Sequence, residues 1–146
     1  MISIGCDYKM RQVAIACAQE KWAISLTTPA AGRADELGDL RSWFESHVPM
    51  NTHLWIESAI QGHSNVQTTV KMAQTQGALM SIHDGPCTVV APSSWKAGLP
   101  GLGGHASKEQ VAEWLFYNHP DLHAHCDSQD EIDAMCLSLY GQSQMS

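Results

Sequence analysis

Three short apolar runs open the chain, and the connections between them leave room for little but a reversal of direction. Ile2-Ser-Ile-Gly-Cys-Asp7 alternates with the period of a strand and ends in an acid. A turn at Tyr8-Lys9-Met10 leads to Gln12–Ala18, and Gln19-Glu20-Lys21 leads to Trp22–Thr27. Parallel strands need a long crossover, so connections this short predict an antiparallel meander. Whatever follows must pack on that sheet.

The pattern then changes to alternating helix and strand. Pro29 to Gly32 breaks the chain, Arg33 to Val48 carries Leu37, Leu40, Trp43 and Phe44 at helical spacing, and Pro49 stops the helix. His53-Leu-Trp-Ile-Glu57 is a short apolar run entered from that helix, which predicts a fourth strand lying parallel to the first. From Ser64 to about His83, residues Val66, Val70, Ala73, Gly77 and Met80 form one stripe of a long amphipathic helix. Gly77 costs that helix about 1 kcal/mol of propensity, which a close helix contact would offset. Cys87–Ala91 is a fifth strand between Pro86 and Pro92. After it come Ser93-Ser-Trp-Lys96, a Gly-rich turn over Gly98–Gly104, a helix from Ser107 to about Asn118, a His-rich polar linker and a terminal helix. The predicted fold is α/β: a five-stranded mixed sheet, three antiparallel strands then two parallel, flanked by helices.

A chain of 146 residues with 44% hydrophobic content supports one core and not two. The expected organisation is a single domain over 1–142 with a polar tail at 143–146. No window approaches the run of about 18 apolar residues that a membrane span needs, and no basic region precedes an apolar run at the start. These features predict a cytoplasmic protein with no membrane partner. Five cysteines without C-x-x-C spacing, three of them inside apolar runs, predict reduced thiols that pack as small hydrophobes.

The terminal helix opens on Ser128-Gln-Asp-Glu-Ile-Asp133. Ser128 and Glu131 have capping-box spacing, which accounts for Glu131, while Asp130 and Asp133 share a face in the first turn and need another reason. A single acid at a strand end or helix start is more often a cap or a solvated residue than a ligand. Here the first and fourth strands also end in acids. If those strands are parallel neighbours, Asp7, Glu57, Asp130 and Asp133 converge where α/β sheets place their sites. Like charges at that range cannot all ionise without cations, which points to hard divalent metals, two Mg²⁺ ions about 4 Å apart. The formal charge of -7 excludes a generic nucleic-acid coat but not DNA, because carboxylates in a metal site are neutralised when ions bind.

Two other motifs carry less. Gly101-x-Gly103-x-x-Ala106 matches a dinucleotide fingerprint, but no strand feeds it, and a cofactor reading is rejected. His119, His123, His125 and Cys126 fit no structural zinc spacing well and read as a solvated loop; the alternative for His125 is a position close enough to Asp130 to tune it.

The order of elements resembles the RNase H-like nuclease fold, and within it the sequence is similar to the RuvC Holliday junction resolvases over nearly its whole length. The separating residues are Pro92-Ser-Ser-Trp-Lys96, then Leu99-Pro-Gly-Leu-Gly-Gly-His-Ala-Ser-Lys108-Glu-Gln-Val111, and the Asp130-Glu-Ile-Asp133-Ala134 ending. The resemblance implies Asp7, Glu57, Asp130 and Asp133 as ligands of two Mg²⁺ ions, with Mn²⁺ as substitute, and Lys108 beside the scissile phosphate in a catalytic role. It implies Lys96, Lys108, Lys9, Arg11 and Ile60 as DNA contacts, four-way junctions as substrate, and a homodimer through the helix at about 64–83. Compact resolvases of this kind occur in bacteriophages, which implies such a source. By itself, Lys108 reads as a solvated lysine or as an anion contact at a helix start. One departure concerns the segment after Glu57. The family places a stacking aromatic there, whereas Ser58-Ala59-Ile60 offers only Ile60 as a wedge. The competing expectations are a nuclease of broader branched-DNA or RNA-DNA hybrid specificity, and a non-catalytic junction-binding protein.

Overall fold

The small side chains of the first two strands decide how the molecule is layered. The computed structural model describes residues 1–9, 12–27, 34–58 and 66–146; the side chains at 34–37, 68 and 71 are not described. Strands β1 (Ile2–Lys9), β2 (Gln12–Cys17) and β3 (Trp22–Thr27) form the expected antiparallel meander. After helix α1 (Ala34–His47), strand β4 (Thr52–Glu57) lies parallel to β1, and after helix α2 (Val66–Ile82), strand β5 (Cys87–Val90) lies parallel to β4. The sheet order is β3-β2-β1-β4-β5. Helices α3 (Pro92–Gly98), α4 (Lys108–Asn118), α5 (Pro120–His123) and α6 (Gln129–Met145) complete the chain.

Alternation sends Ile4, Cys6, Tyr8, Val13 and Ile15 to one face of the sheet, where they pack with Leu40, Phe44 and Leu79 of α1 and α2. The other face presents Ala14, Ala16 and Ala18, with Gly5 opposite Ala16. That shallow surface lets α6 lie directly on the backbone of β1. A Cβ on Gly5 would fall on the carbonyl oxygen of Ala134 and the amide of Ser138. Two buried serines fasten the contact. Ser138 Oγ donates to Ser3 O at 2.8 Å and accepts from Ala18 N–H at 2.9 Å, while Ser3 Oγ donates to Ser138 O at 2.7 Å. The hydroxyls of both serines are therefore satisfied inside the layer, where an unmet polar group would cost about 1–3 kcal/mol.

Several boundaries differ from the sequence reading. Tyr8 and Lys9 belong to β1, paired with Val13 and Gln12, and do not form the expected turn; burying the Tyr8 ring favours the longer strand. Met10 lies outside the described residues. The sequence reading assigns no element to Ser93-Ser-Trp-Lys96, where helix α3 forms; Pro92 suits the first position of a helix, where its missing N–H has no partner to lose. Pro120 likewise starts the short α5 within the His-rich linker. Helix α6 runs on to Met145, so the expected tail at 143–146 is mostly helical and largely exposed. Among the described residues, no helix is long and apolar enough to cross a membrane. All five cysteines are free thiols.

Because α6 touches β1 backbone to backbone at Gly5, Gly5→Ala should destabilise the protein by about 3 kcal/mol through forced separation of the two elements. Urea denaturation measures this, and a variant within about 0.5 kcal/mol of the parent would contradict the packing described.

Candidate active site

Parallel pairing of Cys6 with Ile56 makes Asp7 and Glu57 the next residues on adjacent strands, so both acids leave the sheet side by side. Asp7 shares the α6 face with Gly5, and Glu57 shares it with Trp55, whose ring meets Tyr140 edge-on. Helix α6 starts over these strand ends. Ser128 caps it, its Oγ accepting the Glu131 N–H at 3.2 Å, and the first turn lowers Asp130 and Asp133 toward the strand acids. All four carboxylates line one cavity of about 180 Å³, together with Lys9, Lys108, Tyr8, Ser58, Met72 and Pro92.

The electrostatics follow from that crowding. Burial and then the charges of Glu57, Asp133 and Asp130 push the Asp7 carboxyl well above the usual carboxylate range, with Lys9 opposing them. Glu57 is pushed up to about 7, first by burial and then by Asp133. Against this, Trp95 Nε1–H donates to Glu57 Oε2 at 3.3 Å, and Lys96 adds a favourable charge. Burial also raises Asp133, opposed by Gln129 Nε2–H, which donates to its Oδ1 at 3.0 Å, and by Lys96. Lys9 Nζ pairs with Asp130 Oδ1 at 3.0 Å.

A donor set of four carboxylates fits hard divalent cations, which favour oxygen ligands and would relieve the mutual repulsion. The arrangement is open: among the described residues no three carboxylate, imidazole or thiol groups are already closed into a metal cage. Asp130 is turned to Lys9 and Asp133 to Gln129.

The cavity thus gathers Asp7, Glu57, Asp130, Asp133, Lys108 and Lys9 from the residues singled out in the sequence. Lys96 is close but differently engaged: its Nζ donates to Ala106 O at 3.2 Å and lies 5.6 Å from the centre of the Trp95 ring. Arg11 and Ile60 lie outside the described residues. One expectation changes. Glu131 does not return to the Ser128 amide; its carboxylate accepts from Asp127 N–H at 3.1 Å and Ser25 Oγ–H at 2.6 Å, tying α6 to β3. Of the two helix acids, Asp130 is buried and ion-paired, whereas Asp133 is half-buried. The histidine segment is taken up by packing: His119 tilts against Trp114, His123 meets Phe116 edge-on, Cys126 Sγ donates to Leu122 O, and His125 is exposed. Trp95 and Gln129, which hold Glu57 and Asp133, carried no sequence signal of that role because their partners are set by tertiary packing.

The sequence matches no protein-family model and no curated protein. Solved structures are informative. Thermus thermophilus RuvC matches with a TM-score of 0.70 and 17% identity, covering 99% of this chain and 96% of that one. The chain has a RuvC-like fold. T. thermophilus RuvC in complex with a Holliday junction substrate matches with a TM-score of 0.73 and 14% identity, covering 100% of this chain and 96% of that one. The mixed sheet and its flanking helices are the parts of the chain that this shared fold comprises.

A carboxyl with a raised pKa in the folded protein favours folding below its ordinary pKa, and that contribution is lost as pH rises through the folded value. For Glu57 the window runs from the ordinary 4.5 to about 7. In metal-free buffer, Glu57→Gln, which keeps an acceptor for Trp95, should therefore stabilise the protein by about 2 kcal/mol near pH 8 and by little near pH 5. Thermal melts in chelator at the two pH values check this; equal effects at both would contradict the assigned repulsion.

Proposed function

We propose that this chain is a divalent-metal-dependent endonuclease that resolves four-way DNA junctions by paired, symmetric nicks. The observation that carries the reading is the single cavity in which Asp7, Glu57, Asp130 and Asp133 face one another beside Lys9 and Lys108, at the strand ends of a RuvC-like fold. That one structural neighbour is a complex with a Holliday junction substrate supports branched DNA as the partner. The four carboxylates would hold two Mg²⁺ ions per site with substrate in place, Mn²⁺ substituting, and these ions supply an activated water and stabilise the leaving oxygen.

The chain's own residues do the positioning. Trp95 and Gln129 fix one oxygen each of Glu57 and Asp133. Lys108 is exposed at the first position of α4, where its ammonium and the unpaired N–H groups of the helix start both favour a phosphate. Lys96, fastened to Ala106 O, acts on Glu57 and Asp133 through its charge. With a formal charge of -7 on the chain, DNA binding depends on these lysines and on metal in the acidic site. Cleavage in a bacterial cytoplasm, under a phage genome, belongs to the same reading.

A homodimer through α2 is part of the proposal. Of its stripe, Val66, Val70, Ala73 and Gly77 point away from the core, with Val66 78% and Val70 49% exposed, whereas Met80 packs against the core and Leu79 is buried against the sheet. Among the described residues, a Cβ on Gly77 would meet nothing within 4 Å, so no close contact with them explains the glycine. A groove beside it is lined by Gly38, Arg41, Ala78 and Ser81. A second copy of α2 packed there places two sites on one junction, matching its two-fold symmetry. The missing aromatic at Ser58-Ala59-Ile60 favours a second reading, a nuclease cutting forks, flaps or RNA-DNA hybrids as well.

Labelled four-way junction, fork, hybrid and linear duplex in Mg²⁺ separate these readings. Symmetric nicks on the junction are expected, reduced about a hundredfold or more by Asp7→Asn with junction binding retained. Binding without cutting in Mg²⁺ or Mn²⁺ overturns the enzyme, and equal cutting of linear duplex overturns the resolvase. Val70→Glu should shift sedimentation to a monomer and turn paired cuts into single nicks; a variant that stays dimeric and cuts in pairs contradicts the α2 interface.

A further inference from the structure

The four acids of the cavity are not alone. Lys9 leaves the end of β1 and pairs with Asp130 Oδ1 at 3.0 Å, and this contact is the largest favourable influence on its charged form. Lys96 and Lys108 act on other members: Lys96 lowers Glu57 and Asp133, and Lys108 lowers Asp133. The cations are therefore divided among the acids, with Lys9 assigned to Asp130 and its neighbour Asp7.

Charge arithmetic then limits what the protein takes up before DNA arrives. When all four carboxylates are ionised, the two ammonium groups that share their cavity, Lys9 and Lys108, leave two net negative charges. One divalent ion cancels that charge, and a second would leave two net positive charges in a largely buried site. The first ion has Asp7, Glu57 and Asp133 available. The second would need Asp130, whose carboxylate is buried and already neutralised by the lysine. The ammonium of Lys9, on a side chain that is 55% exposed, is also easier to place there than a second strongly hydrated ion, because Mg²⁺ sheds its waters reluctantly.

We infer that Lys9 is a built-in counter-ion standing in the second cation position, so that the DNA-free protein binds one divalent ion per site and not two. Lys9 acts through Asp130 and is a positioning residue. The inference rests on the proposed metal site, and it says which of the two positions is filled by the chain itself. Entry of a second ion requires the Lys9–Asp130 pair to open, and a phosphodiester, which brings negative charge, is the chemistry that favours the opening.

Counting ions tests it without reference to cleavage. Mn²⁺ titrated into the DNA-free dimer or monomer, followed by calorimetry and by electron paramagnetic resonance, should show one ion per chain and no signal from spin-coupled Mn²⁺ pairs. Lys9→Met should bind a second ion, with affinity for it raised about tenfold or more and a spin-coupled signal. Lys9→Arg should restore the single ion, which a merely structural role would not distinguish from Met. Two coupled ions in the unaltered protein, or one ion in a folded Lys9→Met, would overturn the inference; if Lys9→Met does not fold, the unaltered protein alone decides. Junction cleavage failing while the ion counts hold would overturn the proposed function and leave the role of Lys9 standing.

Discussion

The contact between α6 and β1 at Gly5 is what the rest of the molecule depends on. Glycine in a strand is ordinarily a weakness, since it orders a flexible backbone and offers no side chain to pack. Here its absent side chain is the feature that matters, because Ala134 and Ser138 occupy the space a Cβ would need. Asp7 lies two residues beyond Gly5, and Asp130 and Asp133 lie one turn or less before Ala134. The same contact that builds the core therefore fixes the separation between the strand acids and the helix acids. The alanines of β2 extend the flat surface, and the Ser3–Ser138 bonds lock the helix against sliding.

A site assembled this way costs stability. Two strand ends and a helix start bring four carboxylates into one small cavity, and three of them have raised pKa values chiefly through burial. The fold offsets part of that cost locally, with an indole on Glu57, an amide on Asp133 and an ammonium on Asp130. The remaining repulsion is what a divalent ion would relieve, so the electrostatic strain and the affinity for metal have one origin. The proposed function and the electrostatic cost fall on the same residues, as expected when a site is held together by a scaffold that does not need it.

Much of this was legible in the sequence, for reasons that also mark where legibility stops. Alternation and short connections dictate the meander, and a helix before His53 dictates a parallel fourth strand, which together bring Asp7 and Glu57 side by side. Periodicity showed that Val66, Val70, Ala73 and Gly77 share a face of α2 but not that the face looks outward, because a repeat of apolar residues carries no information about which partner it meets. Helix α3 is too short for a period to show, and Pro92 was read as the end of a strand and not as the start of a helix. The capping-box spacing of Ser128 and Glu131 was real for the serine only, since Ser25 on β3 competes for the carboxylate. The Lys9–Asp130 pair and the Trp95–Glu57 bond join residues far apart in the chain, so their sequence positions alone gave no sign of them.

The central claim is that the ends of β1 and β4 and the start of α6 form one metal-binding nuclease centre. Anomalous scattering from crystals grown with Mn²⁺ tests it most directly, because it locates the ion without requiring activity. The account predicts an anomalous peak coordinated by the carboxylates of Asp7 and Glu57, in the cavity that Lys108 borders. A protein that crystallises with Mn²⁺ elsewhere and none between those two acids would contradict it.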